Sequence, residues 1–240
     1  IPQKAVCDGW NKEYVCCQSW LGTGPMVSDM FNVYPTDARV NTLRSNYPYG
    51  VVGTNKGISG DPDHHALGKL GTSAKSGVSC TVYEPDDRYK GDFARTFFYM
   101  VARYRNNILN SGDGSAMFTS SPTDLTSYSL SCLLEWHRND PVSEKEVDRN
   151  QGVYGEQNNR NPFIDYPELV EYIWGNKKGQ AVDLEALTLE FLQGTCIAEE
   201  PQPDPEQLYD FIINLPAITA AYVNAVPGGS ANSGIQSNGN

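Results

Sequence analysis

Positive charge is scarce in this chain. Against 29 aspartates and glutamates stand 18 lysines and arginines, a formal net charge of −11. Nucleic-acid affinity rests on cations that neutralise phosphates, so the balance disfavours a polyanion as partner except through local basic patches. Long apolar runs are missing too. None approaches the roughly 20 residues of a membrane helix, and no membrane partner is expected. No Asn-x-Ser/Thr sequon occurs, which excludes conventional N-glycosylation. Histidine is limited to three residues, His64, His65 and His137. The chain opens on Ile1-Pro2 with no methionine, charged n-region or apolar h-region. It reads as a processed mature chain whose targeting segment is absent.

What is present is enough for a folded protein: 240 residues, 39% hydrophobic and 11% aromatic, can bury a sizeable core. Six cysteines, Cys7, Cys16, Cys17, Cys80, Cys132 and Cys196, are widely spaced and lack a CxxC or Cys/His zinc pattern. An even number in this arrangement favours disulfides in a secreted protein over the alternative of buried free thiols in a cytosolic one. Six cysteines permit fifteen pairings, among which the spacing does not choose. Cys16 and Cys17 are adjacent and point apart in an extended chain. Each therefore needs a different partner, and one partner can belong to another subunit.

Residues 1 to about 60 are rich in Gly, Pro, Asn and aromatics, and predict loops and short strands, with Glu13 and Tyr14 at a strand end. Thr36 and Asp37 are good caps for a short helix carrying Asn41 and Arg44. Residues 54–79 read as a surface excursion with a hairpin, and the His64-His65 pair there reads as solvated rather than ligating. A helix follows from about Asp92 to Asn106. Phe93, Phe97, Met100, Val101 and Tyr104 recur at helical spacing, with Arg95, Arg103 and Arg105 on the other side as candidate phosphate contacts. A second helix spans about Asp124–Asn139, burying Leu125, Leu130, Leu133, Leu134 and Trp136. His137 within it reads as a packed core residue. Ser143-Glu-Lys-Glu146 is a capping box that opens a third helix to about Tyr154. Pro167 opens a short helix ended by Gly175. Beyond it, helices are predicted over 183–193, 205–215 and 217–226, with a stiff Pro-rich linker at 199–205 and a Gly/Ser/Asn-rich tail.

Several stretches carry a resemblance. Asp8-Gly-Trp-Asn-Lys-Glu-Tyr-Val-Cys-Cys-Gln-Ser-Trp20, Asp29-Met-Phe-Asn-Val-Tyr-Pro-Thr-Asp37, Arg44-Ser-Asn-Tyr-Pro-Tyr-Gly50, Tyr83-Glu-Pro, Lys90-Gly-Asp92, Trp136 through Glu146, and Gly155 through Asp165 together resemble the endonuclease I family. These are secreted bacterial nucleases with a ββα-metal (His-Me finger) site. The resemblance implies an α+β fold, a mostly helical domain around a ββα-metal core, with an added C-terminal helical extension. It divides the chain into an endonuclease I-like domain over 1–175, an extension over 176–226 and a tail over 227–240. The family carries several tens of residues ahead of its Glu-His segment, where twelve precede Glu13 here. A core lacking one layer is expected to be covered by the C-terminal helices or by a neighbouring copy.

Carried over residue by residue, the family's metal-ligand glutamate matches Glu13 and its ligand asparagine matches Asn41, oxygen donors suited to Mg²⁺ or Ca²⁺. Arg44, Arg95 and Arg160 are the candidates for substrate phosphate. The general-base histidine matches position 14, which is Tyr14. A phenol ionises near pH 10 and an imidazole near 6.5, so losing the imidazole is expected to cost about 10²–10⁴-fold in rate. Two further histidine positions fall on Phe31 or Asn32 and on Tyr166. The resemblance therefore implies a secreted nuclease-fold protein that has lost catalysis and serves a structural or adhesive role by self-association, as a homo-oligomer or larger assembly. Two other readings stay open. One is an active Mg²⁺-dependent endonuclease with a substitute base such as His137; the other is a non-catalytic nucleic-acid or cation-binding module.

Overall fold

The computed structural model describes residues 8–58, 68–104, 108, 112–119 and 124–183. The chain divides into two compact units, residues 1–164 and 165–240. His64 and His65, and the helices, linker and tail expected beyond residue 183, lie outside the described residues. The fold is α+β, as expected: two small antiparallel sheets set among helices.

The first unit begins with a two-stranded ribbon and a helix. Strand β1 (Trp10–Tyr14) pairs antiparallel with β2 (Val33–Asp37) in the register Trp10↔Asp37 through Tyr14↔Val33. Helix α1 (Ala38–Arg44) follows without a break. Asp37 makes the junction possible: its carboxylate accepts from the amides of Arg39 and Val40 at 2.8 and 3.0 Å, the expected cap. The Ala38 amide also donates to the Gly9 carbonyl at 2.9 Å, tying the start of α1 to the start of β1.

A second sheet is the meander β3 (Val52–Ile58), β4 (Lys69–Ser73), β5 (Thr81–Glu84), with two irregularities of register between β3 and β4. The hairpin expected in 54–79 is therefore present in β3 and β4. Val82 of this sheet packs with Tyr128 and Cys132 under Val51, Val52 and Val78.

Helix α2 (Lys90–Tyr104) forms the centre of the unit and packs on α3 (Ser127–Asn139). The expected polar side of α2 is present only in its last turn, where Arg103 is exposed; Arg105 lies outside the described residues. Every residue from Gly91 to Val101 is buried, including Arg95 at 0% exposure. The reason is local: Arg95 Nε and Nη2 donate to both oxygens of Glu146 at 2.6 and 2.7 Å, and Nη1 donates to the Asp140 carbonyl at 2.9 Å. A guanidinium so matched can be enclosed where an unpaired one cannot. Glu146 is the same residue whose side chain closes the capping box of α4 (Glu144–Gln157). Gly91 allows the close approach this needs, since a Cβ there would lie 2.0 Å from the Asp140 carbonyl oxygen.

In α3, Leu125 (just ahead of the helix), Leu133 and Trp136 are buried as expected, while Leu130 and Leu134 are half-buried. His137 is buried edge-on to Phe98, with Nδ1 3.4 Å from Arg95 Nη1. Helix α4 runs three residues past the expected end and stops at Asn158, which takes a left-handed φ of 60°. A short α5 (Pro162–Asp165) ends the unit, and in the second unit α6 (Leu169–Ile173) buries Leu169, Val170 and Ile173.

Candidate functional site

Alternation along β1 decides which side chains meet. Successive residues of a strand face opposite sides. Glu13 and its cross-strand neighbour Tyr34 turn inward and are 5% and 9% exposed, while Trp10, Lys12 and Pro35 face out. Tyr14, on the outward side at the strand end, is half-buried.

Helix α1 lies along the edge of β1 away from β2. Asn41 Nδ2 donates to the Lys12 carbonyl at 3.1 Å, and Arg44 Nη1 donates to the Tyr14 carbonyl at 3.2 Å. Carbonyls two apart on a strand point the same way, about 6.8 Å apart. Residues three apart on a helix rise only about 4.5 Å. The long arginine side chain covers the difference and reaches on to the Val15 carbonyl at 3.0 Å. Thus the i, i+3 face of α1 is stitched to β1 at two points.

Glu13 Oε1 is held from two sides. Tyr49 Oη donates to it at 2.9 Å, and Arg44 Nη1 lies 3.1 Å away. The Arg44 guanidinium in turn sits 4.7 Å from the Tyr49 ring centre and 5.6 Å from that of Trp20. Tyr49 is itself wedged among Tyr83, Phe93, Phe97 and Trp136. Burial pushes the Glu13 carboxyl above its ordinary range, and Arg44 and the Tyr49 hydrogen bond pull part of that shift back. Burial works against the charge on Arg44, but Tyr49, Glu13 and the neighbouring thiols more than restore it, leaving its pKa raised. Burial likewise drives the Tyr49 phenol well up, with Glu13 adding to the shift, so it stays a donor.

Arg44 and Arg95, the expected phosphate contacts, stand in buried ion pairs. They are 3% and 0% exposed, each committed to a buried glutamate, and a phosphate reaches neither without breaking an ion pair. Arg160 is half-buried, donates to Gln151 Oε1 at 2.6 Å and lies 5.9 Å from the Tyr154 ring centre. Glu13 and Asn41 are brought to adjoining elements. The hydrogen bonds and ion pair of Glu13 fall on Oε1, leaving Oε2 without one among the described residues. Asn41 spends Nδ2 on Lys12, which turns its Oδ1 to the free end of the amide. Two such oxygens suit a hard divalent cation, which retains several waters. No group of three or more His, Cys, Asp or Glu gathers for a metal among the described residues. Such an ion would take its remaining ligands from water or substrate.

Phe31, Asn32 and Tyr166 are all buried. Asn32, fully buried, accepts from the Cys16 amide at 2.7 Å and donates to its carbonyl at 3.0 Å, clamping the exit of β1. Phe31 packs on Tyr99 at 4.8 Å between ring centres, and Tyr166 is 5% exposed. Asp29 fixes this loop by accepting from Tyr99, Tyr104 and the Phe31 amide. The expected disulfides are not found among the described cysteines: Cys16, Cys17, Cys80 and Cys132 are free thiols, and Cys7 and Cys196 lie outside the described residues. Burial pushes Cys17 up to about 12, far from a reactive thiolate.

The ribbon β1–β2 running directly into α1, with an inward glutamate and an asparagine on the helix, is the ββα arrangement. A family model described as endonuclease I matches residues 2–168. The chain belongs to the endonuclease I family. Among proteins similar to this family member, an extracellular ribonuclease of Bacillus amyloliquefaciens is 36% identical over 177 residues, covering 69% of this chain and 54% of that protein. An extracellular ribonuclease of Bacillus subtilis (strain 168) is also 36% identical, over 178 residues, with the same coverage of 69% and 54%. An endonuclease-1 of Buchnera aphidicola subsp. Acyrthosiphon pisum (strain APS) is 27% identical over 138 residues, 57% of this chain and 44% of that protein. The chain spans about half the length of the curated relatives it matches. No helix among the described residues is long and apolar enough to cross a membrane.

The residue that sequence reasoning missed is Tyr49. It stands in the Tyr-Pro-Tyr-Gly stretch already noted for its resemblance, but its contact with Glu13 spans 36 positions. Nothing local marks it as a partner of that carboxylate.

Proposed function

We propose that this chain is an extracellular endonuclease I-family protein that keeps the family's phosphodiester site but has lost its proton-abstracting group. The observation that carries this reading is Tyr14, a phenol beside Glu13 where the family's mechanism uses an imidazole. None of the three histidines belongs to the ββα element: His137 is packed on Phe98 and Arg95 in the core, so the substitute-base role is not supported, and His64 and His65 lie outside the described residues. A divalent cation held by Glu13 and Asn41 would supply charge neutralisation at the leaving oxygen. The chain's own residues then divide as follows. Glu13 and Asn41 hold; Arg44 and Tyr49 orient the Glu13 carboxylate; Tyr14 offers a phenol where the mechanism needs a base. The two relatives named extracellular ribonucleases support a secreted location and a nucleic-acid ligand. Self-association through the C-terminal extension completes the proposal as a structural role. Sedimentation of the full chain tests it, and a strict monomer at micromolar concentration removes it.

The catalytic part is tested by nicking of supercoiled plasmid and cleavage of RNA with Mg²⁺ or Mn²⁺. The native chain is expected at or near background, and Tyr14→His to raise the rate by about 10²-fold or more, the usual worth of a general base. Brisk Mg²⁺-dependent cleavage by the native chain, lost in Glu13→Ala, refutes the proposal.

A further inference from the structure

The outward face of the β1–β2 ribbon is unusual for so acidic a protein. Trp10 is 80% exposed, the largest exposure of any big apolar side chain among the described residues; Met30 and Tyr89 follow at 40% and 37%. Period-two alternation puts Trp10, Lys12 and Tyr14 on this one face, with Pro35 across from Lys12. The order is aromatic, cation, aromatic. Lys69, Lys75, Lys90, Lys145 and Lys177 each pair with a carboxylate. The Lys12 ammonium has no ion pair among the described residues, and Arg39, two residues past Trp10's neighbour Asp37, has none either. Among the described residues the ribbon thus keeps two cations without an ion pair, a condition Lys56 and Lys178 share, although the chain carries −11 overall.

A flat exposed ring beside an uncompensated cation is the chemistry that holds a base and its phosphate, and stacking tolerates any base sequence. We infer that this face is a stacking platform for single-stranded nucleic acid, with Trp10 and Tyr14 each taking a base, about two nucleotides apart, and Lys12 a phosphate between them. About 13 Å separates Trp10 from Tyr14 along the strand, too far for one base to touch both rings. Duplex is excluded from this mode because its bases are already stacked on one another. The substitution at position 14 then has a positive consequence: the ring that replaces the imidazole extends the surface that Trp10 begins. The inference deepens the reading of the site as a nucleic-acid site that no longer turns over. It is separable from that reading, because binding is measured in EDTA, where cleavage plays no part.

The test is a titration of the full chain with a fluorescein-labelled ten-residue oligouridylate and with the same length of RNA duplex, in EDTA at 30 mM salt. Fluorescence anisotropy reports binding and tryptophan emission reports contact. Single strand is expected to bind more tightly than duplex and to quench emission. Trp10→Ala and Tyr14→Ala should each weaken binding by about 5- to 100-fold, the worth of one stacked base, while Tyr14→Phe binds as the native chain does. Lys12→Ala should lower the salt slope by about 0.7. Circular dichroism of the exposed-site variants guards against misfolding. Equal affinity of the native, Trp10→Ala and Tyr14→Ala chains overturns the inference. So does equal binding of duplex, or no binding by a native chain whose self-association disappears in Trp10→Ala, which would make the face a contact between copies.

Discussion

Replacing Arg44 by methionine keeps the volume and removes the charge, leaving the Glu13 carboxylate enclosed at 5% exposure with Tyr49 alone as its partner. The substitution also deletes donors to the carbonyls of Tyr14, Val15 and Ser45, and the cation that lies against Trp20 and Tyr49. Breaking one side of a buried pair costs about 3–5 kcal/mol. For a chain of this size about 2–4 °C is lost per kcal/mol, so the melting temperature should fall by roughly 6–20 °C. Glu13→Gln tests the same pair from the other side, since it strands the guanidinium. If the two residues are coupled as the 3.1 Å separation implies, Arg44→Met/Glu13→Gln costs less than the sum of the single changes. Urea unfolding of the four proteins closes the cycle. A loss below about 1 kcal/mol for Arg44→Met, or strictly additive costs, refutes the claim that this pair braces the ribbon to α1.

Other perturbations address neighbouring links. Asp37→Ala removes the cap of α1 and should cost about 0.5–2 kcal/mol in urea, loosening the helix that carries Asn41 and Arg44. If Glu13 and Asn41 hold a divalent cation, Mg²⁺ at ten times its dissociation constant stabilises the native chain by about 1.4 kcal/mol, read as a thermal shift. That shift should vanish in Asn41→Ala without a change in the metal-free melting temperature as large as Arg44→Met produces. Asp92 is raised to about 6, first by burial and then by Glu146, despite Lys145 at 2.7 Å. A carboxyl that holds its proton more tightly when folded favours the folded state at low pH, and the advantage is lost as pH rises from about 4 through 6. The native melting temperature should therefore fall relative to Asp92→Asn across that window; a constant difference refutes the shift.

Much of the fold was legible from local chemistry. Asp37 and Ser143 are caps because short polar side chains satisfy amides a few atoms away, and both were readable in place. The hairpin β3–β4 and the start of α4 follow from signals within a few residues, while α3 begins three residues later than expected, at Ser127 behind the Thr126 cap. Glu13 and Asn41 were singled out only through the family resemblance; the structure places them on an adjoining strand and helix. The ion pairs of Arg95 and Arg44 were not legible, because a charged residue on a helix ordinarily faces water. Their partners, Glu146 and Glu13, lie 51 and 31 positions away along the chain, beyond the reach of any local pattern.

By itself the sequence determined the order of the elements, the caps that start them, and that residue 14 is a tyrosine. These depend on short-range hydrogen bonding, period and residue identity. Only the tertiary structure decided that two arginines belong to the core, that Tyr49 holds the site glutamate, and that Trp10 and Lys12 are left in solvent beside Tyr14. Those outcomes depend on which distant partner removes a group from water. Desolvation and pairing are properties of the packed chain, and no local stretch encodes them alone.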